Sequence, residues 1–388
     1  METGKRVSWV ELYLDLIFVL AAGQLAHMIV ADPEAKTVWT ALGLFFVIWW
    51  TWIGFAVLYN RFGDESGPLR AYVLAGSVPA GVAAVAIGPA GHGDVVPLAI
   101  ALALTRVVLA AANARGGGIK EVLRGRIAIA YLISAAVFLL SLAVPAPGRY
   151  VLWFLAISWE SGQILREDKA AIRRARAERD WRALSPDNPD ERLDAAHFAE
   201  RFGLFLIILL GEVVIEAGTS VADGDTHSLV AWVALAAAMV LAAALWWLYF
   251  DAAANVNERV LALSGGSPTL ARSIYAIGHM LPAFSLLLIA AGVGLLLEGD
   301  SEKVAYVLPA VGLGVYLLGT RALLGGRDHA ARLVRLALLV ITFTLARLYG
   351  HVEPHHYVLV LAGWTVMCAV LASRTPLRLV GETSANAD

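Results

Sequence analysis

The feature that most constrains this chain is a series of apolar runs, each about 20 residues long. A helix of that length crosses a hydrocarbon core, and backbone polar groups in lipid must hydrogen-bond within their own segment. The runs lie at roughly 8–30, 37–59, 71–89, 95–113, 126–145, 149–165, 197–217, 228–250, 271–297, 304–323, 332–349 and 356–372. We therefore predict an all-α polytopic membrane protein with about twelve transmembrane helices.

Composition supports this class of protein. Hydrophobic residues make up 59% of the chain and charged residues 16%, whereas soluble domains have about 45–50% and about 25%. The net charge of −2 gives no indication of nucleic acid, and the single Cys368 excludes a disulfide framework or a cysteine metal cluster. We predict no metal and no cofactor, with the lipid bilayer as partner and a small molecule or ion as substrate.

Lysine and arginine are distributed unevenly between the loops. With the amino terminus in the cytoplasm, the inner segments hold most of them, including the basic stretch from Arg166 to Arg192. The outer loops then hold Lys36, Arg149 and Lys303. Cytoplasmic loops of membrane proteins carry an excess of positive charge, so we predict that both termini are cytoplasmic.

The two halves of the chain resemble each other around this basic stretch. A Trp-Trp pair followed by Asn occurs at 49–60 and again at 246–257 with identical spacing, and four further matches keep the same order. Six spans per half is an even number, which predicts two parallel repeats with a substrate cavity between them. We predict a first six-helix repeat at 1–165, a cytoplasmic linker at 166–194, a second six-helix repeat at 195–375 and a disordered tail at 376–388. The linker is either solvated or a surface helix on anionic headgroups.

Ionisable side chains inside the apolar runs are the candidate functional groups, because each costs several kcal/mol in hydrocarbon unless it is paired or hydrated. Glu11 and Asp15 lie one helical turn apart, as do Glu212 and Glu216. The repeat pairs Glu11 and Asp15 with Arg106, and Glu200 with Arg321. The predicted substrate or proton pathway comprises Glu11, Asp15, Gln24, His27, Arg106, Glu200, Arg201, Glu212, Glu216, Asp251, His279 and Arg321.

Structural roles stay open for several of these residues. Glu11 and Glu200 lie within a turn of the predicted interface, where a carboxylate can snorkel or cap its helix. A buried ion pair with an arginine would explain Asp15. His27 and His279 could each be hydrogen-bonded histidines of a packed core. Glu212 lies about twelve residues beyond Glu200, or about 18 Å along the helix. We therefore predict Glu212 as the best single candidate for a proton carrier.

Two segments resemble the signatures of a known family. One is Trp9, Glu11-Leu12-Tyr13, Asp15-Leu16, Phe18-Val19 and Gln24-Leu25-Ala26-His27. The other is His197, Glu200-Arg201-Phe202-Gly203-Leu204-Phe205, Ile207-Ile208 and Leu210-Gly211-Glu212, with Tyr275 and Gly278-His279 as a third match. The chain is thus similar to the bacterial low temperature requirement protein A (LtrA) family. The resemblance implies a multi-pass protein of the bacterial inner membrane, and it implies no particular reaction.

Two functions remain as hypotheses. The leading one is a secondary transporter or permease, coupled to protons through its intramembrane carboxylates, because the chain has no P-loop for nucleotide hydrolysis. The alternative is a membrane-embedded enzyme acting on a prenyl or other lipid-soluble substrate. In that hypothesis Glu11, Asp15 or Glu200 is the general acid, and tryptophan rings shield a cation. A stress or signalling component acting through the basic linker is a third reading.

Overall fold

The computed structural model describes residues 6–63, 67–114, 121–164, 169–178, 180–187, 191–224, 228–320 and 329–373. Within these ranges every element of regular structure is a helix, which confirms the predicted all-α class. The α-helices are α1 (Trp9–Ala31), α2 (Ala35–Phe62), α3 (Gly67–Val85), α4 (Ile87–Gly91), α5 (Val96–Ala114), α6 (Glu121–Leu140), α7 (Gly148–Ile164), α8 (Lys169–Glu178), α9 (Ala195–Asp223), α10 (Leu229–Tyr249), α11 (Asn255–Leu263), α12 (Pro268–Ala271), α13 (Met280–Leu297), α14 (Lys303–Gly319), α15 (His329–Thr344) and α16 (Pro354–Ser373).

Short irregular helices join some of these elements. Two are π-helical, at Phe250–Ala254 after α10 and at Arg272–Ile277 between α12 and α13. Three are 3-10 turns, at Ser141–Ala143, Trp181–Leu184 and Leu345–Leu348. The apolar run predicted at 271–297 is therefore one continuous stretch in sequence but three helical pieces in space.

Nine helical segments in the described part of the chain are long and apolar enough to cross a membrane. They are Trp9–Ala31, Ala35–Phe62, Gly67–Val85, Val96–Ala114, Gly125–Ala143, Ala195–Asp223, Leu229–Tyr249, Pro268–Leu297 and Pro354–Ser373. Two shorter apolar helices, Lys303–Gly319 and Leu336–Leu348, add to them. The three remaining predicted runs thus form helices too, and α7 and α14 have 17 residues each, at the lower limit for a span.

The outward faces of these helices suit lipid rather than water. On α3, Val78, Val82 and Val85 follow one another at helical spacing, and each is at least half exposed. Continuous apolar stripes of this kind are rare on soluble monomers and normal where hydrocarbon is the solvent. The chain is accordingly a multi-pass membrane protein.

The residues group into two compact units. The first comprises Met1–Leu25, Trp39–Phe202 and Arg259–Ile277. In it α5 packs against both α3 and α6, and α6 packs against α7. Small side chains allow these close approaches. At Gly76 of α3, for example, a Cβ atom would lie 3.4 Å from Val108 of α5 and 2.6 Å from the ring of Phe55 on α2.

The second unit comprises Ala26–Val38, Gly203–Glu258 and Gly278–Asp388. Its α13 packs against α14, and α10 packs against α16. Glycine again sets the helix separation, since a Cβ atom at Gly312 would lie 2.8 Å from the carbonyl oxygen of Ser285. Both units draw on helices from both predicted halves of the chain, and the six-helix repeats stay a prediction.

Buried charge clusters as the candidate functional site

Glu11 holds the start of α1. Ser8 precedes the first helical residue, and its backbone N–H and its hydroxyl both donate to Glu11 Oε2 at 3.0 Å. A glutamate three residues after a serine N-cap commonly closes the helix end in this way. The capping role that the sequence left open for Glu11 is therefore present, although its carboxylate also has deeper partners.

Arg201 of α9 joins the two acids of α1. Its Nη1 donates to Glu11 Oε1, and its Nη2 donates to Asp15 Oδ1 at 3.1 Å. All three side chains are fully or almost fully buried. Trp52 of α2 completes the group, because its Nε1 donates to Asp15 Oδ1 at 2.7 Å and its ring centroid lies 5.7 Å from the guanidinium carbon. The prediction that Arg106 balances these acids is wrong, since Arg201 does so.

His197, one turn before Arg201 on α9, extends this cluster. Its Nε2 lies 3.2 Å from Glu11 Oε2, and its Nδ1 lies 3.0 Å from Asn60 Nδ2. The Asn60 amide is oriented by Asp194, whose backbone N–H donates to the amide oxygen and whose carbonyl accepts from Nδ2. His197 thus has Asn60 at its Nδ1 and Glu11 at its Nε2.

The cluster contains two carboxyl groups and one guanidinium. Glu11 and Asp15 share the cation of Arg201, and His197 adds positive charge only when it is protonated. One oxygen, Asp15 Oδ2, is buried and has no hydrogen-bond partner among the described residues. An uncompensated buried charge is costly. A proton on Asp15 would remove the surplus negative charge.

A second buried ion pair joins α5 to α7 in the same unit. Arg106 donates from Nε to Glu160 Oε2 at 3.2 Å and from Nη2 to Glu160 Oε1 at 3.0 Å. Its Nη1 donates to Thr51 Oγ1 at 3.0 Å, and the guanidinium carbon lies 4.6 Å from the centroid of the Phe138 ring. This two-pronged geometry is the strong form of an arginine–carboxylate pair. Arg106 is thus a partner of Glu160, and the pair has the character of a structural clamp.

The second unit holds a pair of buried acids on α9. Glu212 and Glu216 are 5% and 4% exposed and lie one turn apart. His27 Nδ1 lies 3.4 Å from Glu216 Oε1, and the His27 side chain is 60% exposed. The contact between His27 and Glu216 does not have the geometry of a hydrogen bond. Glu216 Oε1 is therefore buried without a hydrogen-bond partner in the described part of the chain. The imidazole of His27 is thus the nearest titratable group that the structure shows at this oxygen.

The other predicted pathway residues occupy different surroundings. In the first unit Gln24 is half-buried, and Glu200 is exposed and accepts the backbone N–H of Val7 at 3.4 Å. Arg321 lies outside the described residues, and so does the predicted pair between it and Glu200.

Two predicted residues of the second unit, Asp251 and His279, differ in burial. Asp251 is exposed within the π-helical turn after α10. His279 is buried, with its Nε2 2.9 Å from the hydroxyl of Tyr249. His279 therefore fits the satisfied core histidine that the sequence left open.

Four partners are not among the residues predicted from the sequence, namely Thr51, Trp52, Asn60 and Glu160. Thr51, Asn60 and Glu160 are polar or charged residues inside apolar runs, which is a usable signal. Trp52 carries no such signal, because a third tryptophan near Trp49 and Trp50 looks like packing. Its role depends on which helix faces it.

Comparisons with known proteins agree with these motifs. Residues 6–373 match the family described as "Bacterial low temperature requirement A protein (LtrA)". A protein of Rhizobium meliloti (strain 1021), described as uncharacterized, is 25% identical over 325 residues, which are 81% of this chain and 76% of that protein. No solved structure matches the chain significantly. The family resemblance predicted from the two signature segments is confirmed.

Proposed function

We propose that this chain, which belongs to the bacterial low temperature requirement A (LtrA) family, is a proton-coupled secondary transporter of the cytoplasmic membrane. One observation carries the proposal. Each unit buries a carboxyl oxygen that has no hydrogen bond within the described residues, namely Asp15 Oδ2 and Glu216 Oε1. Carboxyl groups held in this way inside membrane helices mark proton relays, because the uncharged form is favoured there.

The two sites have different roles in this proposal. The cluster around Arg201 is tied to α1, α2 and α9 by six hydrogen bonds that fix its geometry, so it acts as a joint between helices. Glu212 and Glu216 have no such set of hydrogen bonds to the described residues, and two carboxylates one turn apart repel each other when both are ionised. We assign the mobile proton to Glu212 and Glu216, with the exposed His27 as the relay.

The finer topology belongs to the same proposal. We infer twelve spans, formed by the nine long apolar helices together with α7, α14 and α15. We further infer two parallel six-helix repeats with both termini in the cytoplasm, as the even span number and the distribution of Lys and Arg favour. The lipid bilayer is then the surrounding solvent, and the substrate is a small molecule or an ion.

A membrane-embedded enzyme is the second candidate. Asp15 favours it, because a neutral carboxyl group beside Trp52 has the chemistry of a general acid for a lipid-soluble substrate. Arg201 weighs against it. The guanidinium already lies over the Trp52 ring, so that face is not free to shield a substrate cation.

The transport proposal is tested in everted membrane vesicles. Respiration acidifies their interior, a weak-base dye reports the pH gradient by quenching, and solutes grouped as cations, anions and neutral molecules are added in turn. We expect at least one class to restore fluorescence in wild type. Glu212→Gln and Glu216→Gln should lose this response by at least about tenfold, whereas Glu178→Gln, which changes an exposed acid on α8, should keep it.

Two outcomes would contradict the proposal. If no class of solute restores fluorescence with wild-type vesicles, whether it is added outside or loaded inside, the chain is not a proton-coupled transporter. If both variants respond like wild type at every pH from about 5 to 8, protons do not travel through Glu212 and Glu216. Loss of a lipid conversion on Asp15→Asn, with no proton movement in wild type, would favour the enzyme.

A further inference from the structure

A cavity of about 460 Å³ opens at one end of the second unit. It lies where α9 ends, α10 begins, α13 ends and α16 begins. Its walls carry two acids, two hydroxyl groups, one imidazole and several apolar side chains, among them Asp223, Glu298, Ser220, Ser228, His355 and Leu297. The volume lies within the range of sites for small organic molecules.

The walls favour a cation with an apolar body. Of the described residues that line the cavity, none is lysine or arginine, whereas Asp223 and Glu298 both carry negative charge. The hydroxyl oxygens of Ser220 and Ser228 can accept hydrogen bonds from an ammonium group. Leu297 offers hydrocarbon to the rest of the molecule. An anion would meet two carboxylates here without a compensating arginine or lysine.

The cavity leads towards a buried acid. Ser220 lines it, and the next turn of α9 below Ser220 carries Glu216. A Cβ atom at Gly294 of α13 would lie 3.4 Å from Glu216 Oε2 and 3.5 Å from Ser220 Oγ. The missing side chain at Gly294 therefore leaves a small space at which both polar groups meet.

Glu216 supplies an independent indication of a ligand. Its side chain is 6% exposed. Its Oε1 lies 3.4 Å from His27 Nδ1 and has no hydrogen bond to the residues that the structure describes, and its Oε2 is the oxygen next to Gly294. Glu212, Glu216, Ser220 and Asp223 follow one another at spacings of four, four and three residues, which places them on one face of α9. The face runs from Asp223 and Ser220, which line the cavity, to Glu216 and Glu212.

We propose that this cavity is the access site for a small organic cation, an amine in its ammonium form, whose charged group moves on to Glu216. The inference rests on the proposed transport function and adds the substrate class. In the predicted orientation the cavity opens on the side opposite the cytoplasm. The ammonium group and a proton compete for the same carboxylate, so binding of one releases the other.

Titratable groups on four elements surround this path. Glu212 and Asp223 lie on α9 itself, and Glu298 follows α13. His355 belongs to α16 and His27 to α1. Any proton taken up by these groups makes the path less negative, so lowering the pH should weaken cation binding.

The test measures binding to the purified full-length protein in detergent micelles by titration calorimetry. The probes are benzylammonium, benzyl alcohol and benzoate, which share one ring and differ in charge. We expect benzylammonium to bind at least about tenfold more tightly than the other two, and Glu298→Gln and Glu216→Gln each to raise its Kd at least about fivefold. Glu302→Gln removes an exposed charge of the neighbouring loop that makes no capping hydrogen bond, and it should leave Kd unchanged.

Folding is checked for each variant by its thermal unfolding curve. If a variant unfolds at a clearly lower temperature than wild type, Asp223→Asn, at an exposed position on the cavity wall, is measured in its place. Equal binding of the three probes, absence of binding by all three, or an unchanged Kd in the folded Glu298 and Glu216 variants would overturn the cation site.

The vesicle assay separates this inference from the transport proposal. If neutral or anionic solutes drive proton movement that benzylammonium does not compete with, transport stands and the cation site is wrong. If benzylammonium binds through Glu298 and Glu216 while no solute moves protons, the cation site stands and the transport proposal is wrong.

Discussion

Replacing Arg201 with methionine should destabilise the folded protein strongly. The substitution removes charge-assisted hydrogen bonds to Glu11 and Asp15, each of which contributes about 1.5–3 kcal/mol. It also leaves two carboxylates buried without a cation. Breaking a buried ion pair in this way typically costs about 3–5 kcal/mol. We expect Arg201→Met to lower the free energy of unfolding by that amount.

A compensating variant tests the physical reason. Glu11→Gln and Asp15→Asn combined with Arg201→Met remove all three charges but keep oxygens that can accept from Ser8, His197 and Trp52. Neutral replacements of buried ion clusters are often tolerated, so this triple variant should recover to within about 1.5 kcal/mol of wild type.

Both effects are measured by equilibrium unfolding in mixed micelles with sodium dodecyl sulfate, followed by tryptophan fluorescence. Arg173→Met serves as the control because Arg173 is exposed on α8, and it should change the free energy of unfolding by less than about 0.5 kcal/mol. The reasoning is refuted if Arg201→Met costs no more than Arg173→Met, or if the triple variant is no more stable than Arg201→Met alone.

Two further predictions use the same unfolding assay. Glu160→Gln leaves Arg106 as an unbalanced buried cation and should cost about 3–5 kcal/mol. Adding Arg106→Met should recover at least half of that loss, and a double variant as unstable as the single one would speak against the clamp. Gly312→Ala forces a methyl group against the Ser285 carbonyl oxygen and should cost about 1–3 kcal/mol. Gly363→Ala, with no atom within 4 Å of the added carbon, should be nearly neutral, and equal effects at the two glycines would show that close helix approach is not the cause.

The sequence predicted the helices well because spanning length and hydrophobicity are local properties. Each of the twelve apolar runs coincides with helical structure in the described ranges. The π-helical turn at Arg272–Ile277 was not predicted, since an extra residue in one turn leaves the apolar composition unchanged. The predicted run at 149–165 has the same length as α7, whereas the run at 304–323 extends beyond the end of α14 at Gly319.

The charge partners were predicted less well because they depend on which helices are neighbours. Repeat matches favoured pairing within each half, but the contact between Arg201 and Glu11 joins residues 190 positions apart, across the two halves. A local signal was present. His197 and Arg201 are four residues apart and share a helix face, whereas Glu200 lies about 100° round the helix from Arg201. This difference in angular position on α9 distinguishes the buried His197 and Arg201 from the exposed Glu200.

The distance in sequence between Glu11 and Arg201 has a consequence for biosynthesis. A ribosome adding about 5–20 residues per second needs about 10–40 s to extend the chain from α1 to the start of α9. During that interval the first helix carries two acids whose cation has not yet been made. Until α9 is synthesised, the acids of α1 must stay protonated or hydrated. The packing of α1 against α9 is therefore a late step in folding. A nascent chain that stops before α9 should consequently leave α1 poorly retained in the bilayer.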